Sequence, residues 1–315
     1  MDIELRPLRL AEILDRIFQL YRARFVLFLG IAGVSTILEL LWNLINLAEV
    51  RWMTRHHLAV TTRQWVTSVS SIPAWTVLFA AAALCLAASN RAVAAIYDGK
   101  PTSIVKAFAA LRSGWLRFIW VNTLGFLIAW GSVIVVVLAG VTATLLATRA
   151  RTLGQANVVT FVFGAMSLLI LFALPLCLWL TLRYSLAVPA CVEEGLATLR
   201  SLKRSVSLTQ DTKGRILVLL LIVMAAQGML VSAFMTPIFV FMVRARGQAT
   251  PAMTAYTLLV TALSSALIKP IYSIGLTLFY YDARVRKEGF DLERMLERSS
   301  MEAPNDGVAS TGSAV

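Results

Sequence analysis

Histidine and cysteine are almost missing from this chain: it has two histidines and three cysteines in 315 residues. Metal centres need convergent histidine, cysteine or carboxylate ligands. His56 and His57 are adjacent, so on a helix they would point about 100° apart, and they read as solvated loop residues. Cys85, Cys177 and Cys191 lie in or beside apolar runs, without C-x-x-C spacing. They read as small buried apolar residues rather than redox or metal groups. Acidic residues are also few, 17 against 29 basic ones. The sequence has no H-E-x-x-H, Walker loop or G-x-S-x-G. These absences predict a protein that is not an enzyme and needs no cofactor or metal.

Apolar sequence is what the chain has in abundance. It is 58% hydrophobic, with mean hydropathy +0.76, too little polar surface for a soluble domain of this length. Six long apolar runs fall near 25–48, 72–96, 118–147, 158–182, 215–243 and 253–281. Each exceeds the roughly 20 residues that a helix needs to cross a hydrocarbon core. At that depth the backbone must satisfy its own N–H and C=O groups, which demands helix. The expectation is an all-α integral membrane protein with six transmembrane helices in a single domain, 1–298. Residues 299–315 read as a disordered cytoplasmic tail. No cleavable signal is expected, because the first run is too long for one and follows an acidic segment.

The net charge of +12 is explained by threading rather than by nucleic acid. Twenty-one basic residues fall on the N-terminal, second, fourth and C-terminal connections; seven fall on the others. Basic loops stay in the cytoplasm, so both termini are expected there.

The connections also repeat. An acidic residue precedes glycine at Asp98-Gly99, Glu194-Gly195 and Glu288-Gly289. An arginine abuts an apolar residue at Arg24-Phe25, Arg117-Phe118 and Arg215-Ile216, where the odd-numbered runs begin. This spacing predicts three units, each an amphipathic basic segment followed by a helical hairpin. In the first segment Leu10, Ile13, Leu14, Ile17, Phe18 and Tyr21 share one face, with Arg9, Arg16 and Arg22 opposite. The second combines Ile104, Ala107, Phe108 and Leu111 with Lys106, Arg112 and Arg117. Such helices either lie in the lipid interface or pack beneath the bundle, and amphipathicity alone does not separate the two. The first choice makes Arg9, Arg16, Arg22, Arg24, Lys106 and Arg117 candidate contacts for anionic lipid headgroups. Membrane lipid, with a membrane protein partner as a second option, is the expected partner; nucleic acid is not.

Within the runs, Glu39 and Lys269 are the clearest ionisable groups. Glu39 lies about 21 Å from the start of its span and Lys269 about 18 Å from the end of its own, at 1.5 Å per residue. The matching depths predict a contact between the first and last spans. Asn43, Asn46 and Ser265 lie at helical spacing from the pair and extend a candidate polar network. A charge at this depth costs roughly 3 kcal/mol unless paired or hydrated. An ion pair that closes the bundle is the plainer reading, and a substrate or proton site the sharper one. Pro175, Pro237 and Pro270 each remove one helix hydrogen bond, which membrane bundles tolerate with or without transport.

Two stretches resemble a bacterial family. Arg6-Pro7-Leu8 through Glu12-Ile13-Leu14-Asp15, then Phe18, Tyr21-Arg22 and Phe25, is similar to the opening of the glycerophosphoryl diester phosphodiesterase membrane-domain family. Gly275 through Leu292, with Tyr280-Tyr281-Asp282-Ala283-Arg284 at its centre, is similar to the closing signature. Arg9 departs from the pattern, where a small capping residue would be expected. The phosphodiesterase barrel that names the family is absent here. The resemblance therefore implies a bacterial inner-membrane location and fold, without hydrolase activity. Asp98-Gly99 alone shares a dipeptide with lipid-headgroup transferases, but their downstream Ala-Arg and paired aspartates are missing.

Two function classes follow. Sparse intramembrane charge points first to a non-catalytic scaffold or accessory protein contacting lipid or protein. The alternative is a transporter or lipid-handling protein with a polar site inside the bundle. A closed bundle would favour the first, and charged residues lining a continuous cavity the second.

Overall fold

Three glycines punctuate the chain. Gly99, Gly195 and Gly289 hold φ of +69°, +64° and +61°, the left-handed conformation that ends a helix without the penalty a Cβ would bring. Each closes one of three units in the computed structural model, which describes residues 8–152, 156–244 and 251–289. The first unit contains α1 (Leu10–Ala23), α2 (Phe25–Arg55) and α3 (Val60–Tyr97). The second contains α4 (Ile104–Ala109), α5 (Trp115–Thr152), α6 (Ala156–Tyr184) and α7 (Ala187–Glu194). The third contains α8 (Thr198–Thr209), α9 (Lys213–Arg244) and α10 (Pro251–Glu288). A short leading helix, a long hairpin and a left-handed glycine thus recur three times. Among the described residues six helical segments are long and apolar enough to cross a membrane, and the protein is an all-α, multi-pass membrane protein.

Hydropathy marks bilayer depth, not where a helix stops, and the boundaries differ accordingly. The second apolar run opens at 72, whereas α3 starts at Val60; α2 likewise continues to Arg55. These polar extensions hold each other: Ser70 donates to Glu49 at 3.0 Å and Arg63 to the Thr54 hydroxyl at 3.1 Å. His56 and His57 are exposed in the turn between α2 and α3, and the His56 ring Nδ1 also lies 2.9 Å from the Trp52 carbonyl. The fourth span breaks after Tyr184 and resumes as α7. Ser205 and Thr209 of α8 donate to the Arg183 carbonyl at that break, at 2.9 and 3.2 Å. Hydroxyls of Ser201, Ser205 and Thr209 thus lie on the buried face of this third leading helix. The tail 299–315 lies outside the described residues.

Of the two courses left open for α1, the structure shows packing against the bundle: Ile13, Ile17 and Leu20 are buried within the protein core, while Phe18 of the same stripe stays exposed. The contacts fix its course. Leu8 N–H donates to Asp282 at 2.8 Å, Ile17 approaches Gly275, and the Tyr21 hydroxyl donates to the Leu267 carbonyl at 3.0 Å. As α1 numbers rise, α10 numbers fall, so the two helices run antiparallel. Gly275 eases the close approach, because a methyl group in its place would push aside the side-chain ends of Leu219 of α9 and Ile17. A strong moment needs only an apolar partner, and α10 supplies one in place of lipid. The capping role not expected of Arg9 is taken by Glu12, which accepts the Arg9 N–H at 2.9 Å.

Helix α10 is the hub, packing on α1, α2, α3 and α9. Its basic end is tied down by two polar clusters. Asp282, fully buried as a side chain, accepts from Leu8 N–H, from Arg215 at 2.6 Å and from Arg286 at 3.0 Å. Both arginines also donate to the Leu8 carbonyl at 2.6 Å. Next to this, Arg204 bridges Glu194 at 2.9 Å and Glu288 at 2.5 Å. The Tyr280 hydroxyl donates to Glu194 at 2.8 Å, and Tyr281 to Glu193 at 2.9 Å. The Tyr280–Glu288 stretch is therefore a clasp joining all three units. Its hydrogen bond to Glu288 holds the Arg204 guanidinium above its already high range, so its charge is permanent.

Candidate functional site

The interior between α9 and the α3–α5 pair is not filled. Helix α9 packs along α10 and touches α6, but makes no extended contact with α3 or α5. A cavity of about 680 Å³ occupies the gap. Small residues make the room: Ala32 and Ser35 on α2, Ala82, Cys85 and Ser89 on α3, Gly228 on α9. Leu86, Leu220, Val223 and Ile268 give it apolar walls. Asn122, Gln227, Ser265, Lys269 and Ser273 add polar groups from three helices. Met224, which lines it, is 61% exposed in the middle of α9, so the cavity reaches the outer face of the bundle along that helix.

The ion pair stands at this cavity. The Lys269 ammonium, on the cavity wall, donates to Glu39 Oε1 at 2.5 Å. Their side chains are 38% and 31% exposed, so the pair is not sealed in a core. Pro270 follows Lys269 inside α10 and cannot donate to the Ala266 carbonyl one turn back. The adjacent Leu267 carbonyl instead receives the Tyr21 hydroxyl. The helix is thus loosened beside its only intramembrane lysine and braced there by α1.

The other predicted network members are placed differently. Ser265 lines the cavity one turn from Lys269. Asn43 turns back, its amide donating to the Glu39 backbone carbonyl at 2.9 Å. Asn46, a turn further out, is half-buried and does not line the cavity. Sequence reasoning missed Ser35, Ser89, Asn122, Gln227 and Ser273. Single polar residues in apolar runs carry little signal, and only the packing shows that these five face one space.

The candidate headgroup contacts also divide. Arg9, Arg22, Arg24 and Lys106 are exposed. Arg16 faces the Tyr97 hydroxyl. Arg117 donates to the Gly195 carbonyl at 2.7 Å and lies 5.3 Å from the Phe118 ring centre, so both serve the protein. Arg117 thereby caps the closing turn of its own unit. Among the described residues, no three histidine, cysteine or carboxylate groups converge as a metal site.

Neither the family models, nor the curated proteins, nor the solved structures searched offer a match to the chain.

Proposed function

We propose that this chain is a non-catalytic transporter or lipid-handling protein that admits an amphipathic molecule sideways into the cavity among α2, α3, α5, α9 and α10. The observation that carries the reading is the cavity itself. Its volume, about 680 Å³, lies within the range of small-molecule sites. Its walls are apolar, its polar groups few and convergent, and its one cation, Lys269, is held by Glu39. A scaffold needs no such space. The chemistry fits a molecule with an acyl-like body and a polar, anionic end: the body lies along Leu86, Leu220 and Val223, and the anion competes with Glu39 for Lys269. On the same reading, both termini lie in the cytoplasm of a bacterial cell, supported by the basic asymmetry. The resemblance to the phosphodiesterase membrane-domain family agrees with a membrane role that involves no hydrolysis.

The test fills the cavity. Gly228 lines it, and a Cβ there meets no atom within 4 Å, so Gly228→Trp occupies the space without a backbone clash. Purified protein is titrated with a fluorescent short-chain phospholipid and binding is read by anisotropy. The wild type binds, and G228W binds at least about tenfold more weakly, a loss of about 1.4 kcal/mol. Equal binding by the two proteins would overturn the cavity reading.

A further inference from the structure

Outside the cavity, two cations share one aromatic ring at the edge of the membrane span. Arg183 Cζ lies 4.9 Å from the ring centre of Trp179, and Lys213 Nζ lies 5.0 Å from the same centre. Their charged groups are therefore at most about 10 Å apart. Neither forms an ion pair or side-chain hydrogen bond among the described residues. The nearest carboxylate in sequence, Asp211, is taken by Lys287 at 3.0 Å. Arg183 Nε is buried without an acceptor. Two like charges brought together by α6 and α9, with no ion-pair partner among the described residues, suit an anion.

The surroundings say which anion. Lys213 opens α9, so the positive helix end adds to the two cations. Gly214 beside it has open space where a side chain would stand, leaving room for a bulky group. Trp179 is exposed, and from it exposed apolar side chains continue toward mid-span, Leu176 and Phe172 on α6 and Leu221 on α9. A soluble anion has no use for that apolar track. A phosphodiester accepting one hydrogen bond on each of two oxygens spans at most about 8 Å between donors, within the upper bound that the two ring distances set for the pair.

We infer that Arg183, Lys213 and Trp179 form a headgroup site for an anionic phospholipid at the α6–α9 seam. The phosphate sits between guanidinium and ammonium, and the acyl chains follow the seam between the two helices. The site stands on its own residues and does not depend on what the cavity holds. It also differs from the exposed arginines of α1, whose charges lack a shared aromatic platform.

Native mass spectrometry of the full chain tests this, reading retained phosphatidylglycerol against phosphatidylcholine of the same acyl chains. The G228W background removes cavity-bound lipid, so failure of this site and failure of the cavity reading are told apart. In that background Arg183→Gln with Lys213→Gln lowers the preference for phosphatidylglycerol about twenty-fivefold, about fivefold per charge. Lys213→Gln alone removes no ion pair or side-chain hydrogen bond among the described residues, only the contact with the Trp179 ring, and gives about fivefold. Arg22→Gln with Arg24→Gln leaves the preference unchanged. An unchanged preference in K213Q would overturn the site. An equal fall in the α1 control would overturn it too, as would displacement of the lipid by millimolar inorganic phosphate.

Discussion

Removing one charge of the Glu39–Lys269 pair gives the sharpest prediction. At 2.5 Å and an effective dielectric constant near 20, the attraction is about 7 kcal/mol before desolvation. Desolvation offsets most of it. Breaking a fully buried pair costs about 3–5 kcal/mol, and an exposed pair is worth less than about 1 kcal/mol. With side chains 38% and 31% exposed, this pair falls between, so Glu39→Gln or Lys269→Gln should each cost about 2 kcal/mol. The double neutral variant should cost clearly less than the two losses combined. The exchange Glu39→Lys with Lys269→Glu should recover part of the loss, since only the direction of the pair is reversed. Reversible unfolding in mixed detergent micelles, followed by circular dichroism, gives all four free energies. Single losses that add within about 0.5 kcal/mol would mean the two residues do not interact, and the account of the cavity's charged wall would be refuted.

Asp282→Asn should cost about 3–5 kcal/mol in the same assay, because it leaves Arg215 and Arg286 without their shared buried carboxylate; a loss below 1 kcal/mol would show that the clasp contributes little. Gly275→Val should cost about 2 kcal/mol by forcing Leu219 and Ile17 aside, whereas Gly33→Ala, with nothing within 4 Å of its Cβ position, should be near neutral. Cysteine labelling of intact cells should modify Thr61→Cys from outside and leave Val308→Cys untouched, and external labelling at 308 would reverse the threading.

Much of this fold is written in the sequence because a membrane enforces it. Bilayer thickness sets span length, and apolar runs reveal it regardless of tertiary packing. The acidic-glycine pairs could be read because φ near +65° is a local demand, and it recurs at Gly99, Gly195 and Gly289. The Glu39–Lys269 contact was reachable from depth alone: two rare charges at the same height have few other partners. The course of α1 was not. A stripe of Ile13, Ile17 and Leu20 fits lipid and protein equally, and only Gly275 on α10, more than 250 positions away, makes the protein side available. The clasp around Asp282 and Arg204 was hidden for a similar reason, since each residue looked like another loop charge. The cavity was least visible of all, because it arises from α9 standing away from α3 and α5.

The central claim is that this space holds a guest, and the most direct measurement is a cryo-electron microscopy map of the full chain in nanodiscs formed with its own membrane lipids. The account predicts elongated non-protein density running from Met224 toward Lys269, and its loss in G228W. A gap closed by α9 against α3 and α5, with Gln227 and Asn122 in contact and no such density, would contradict it.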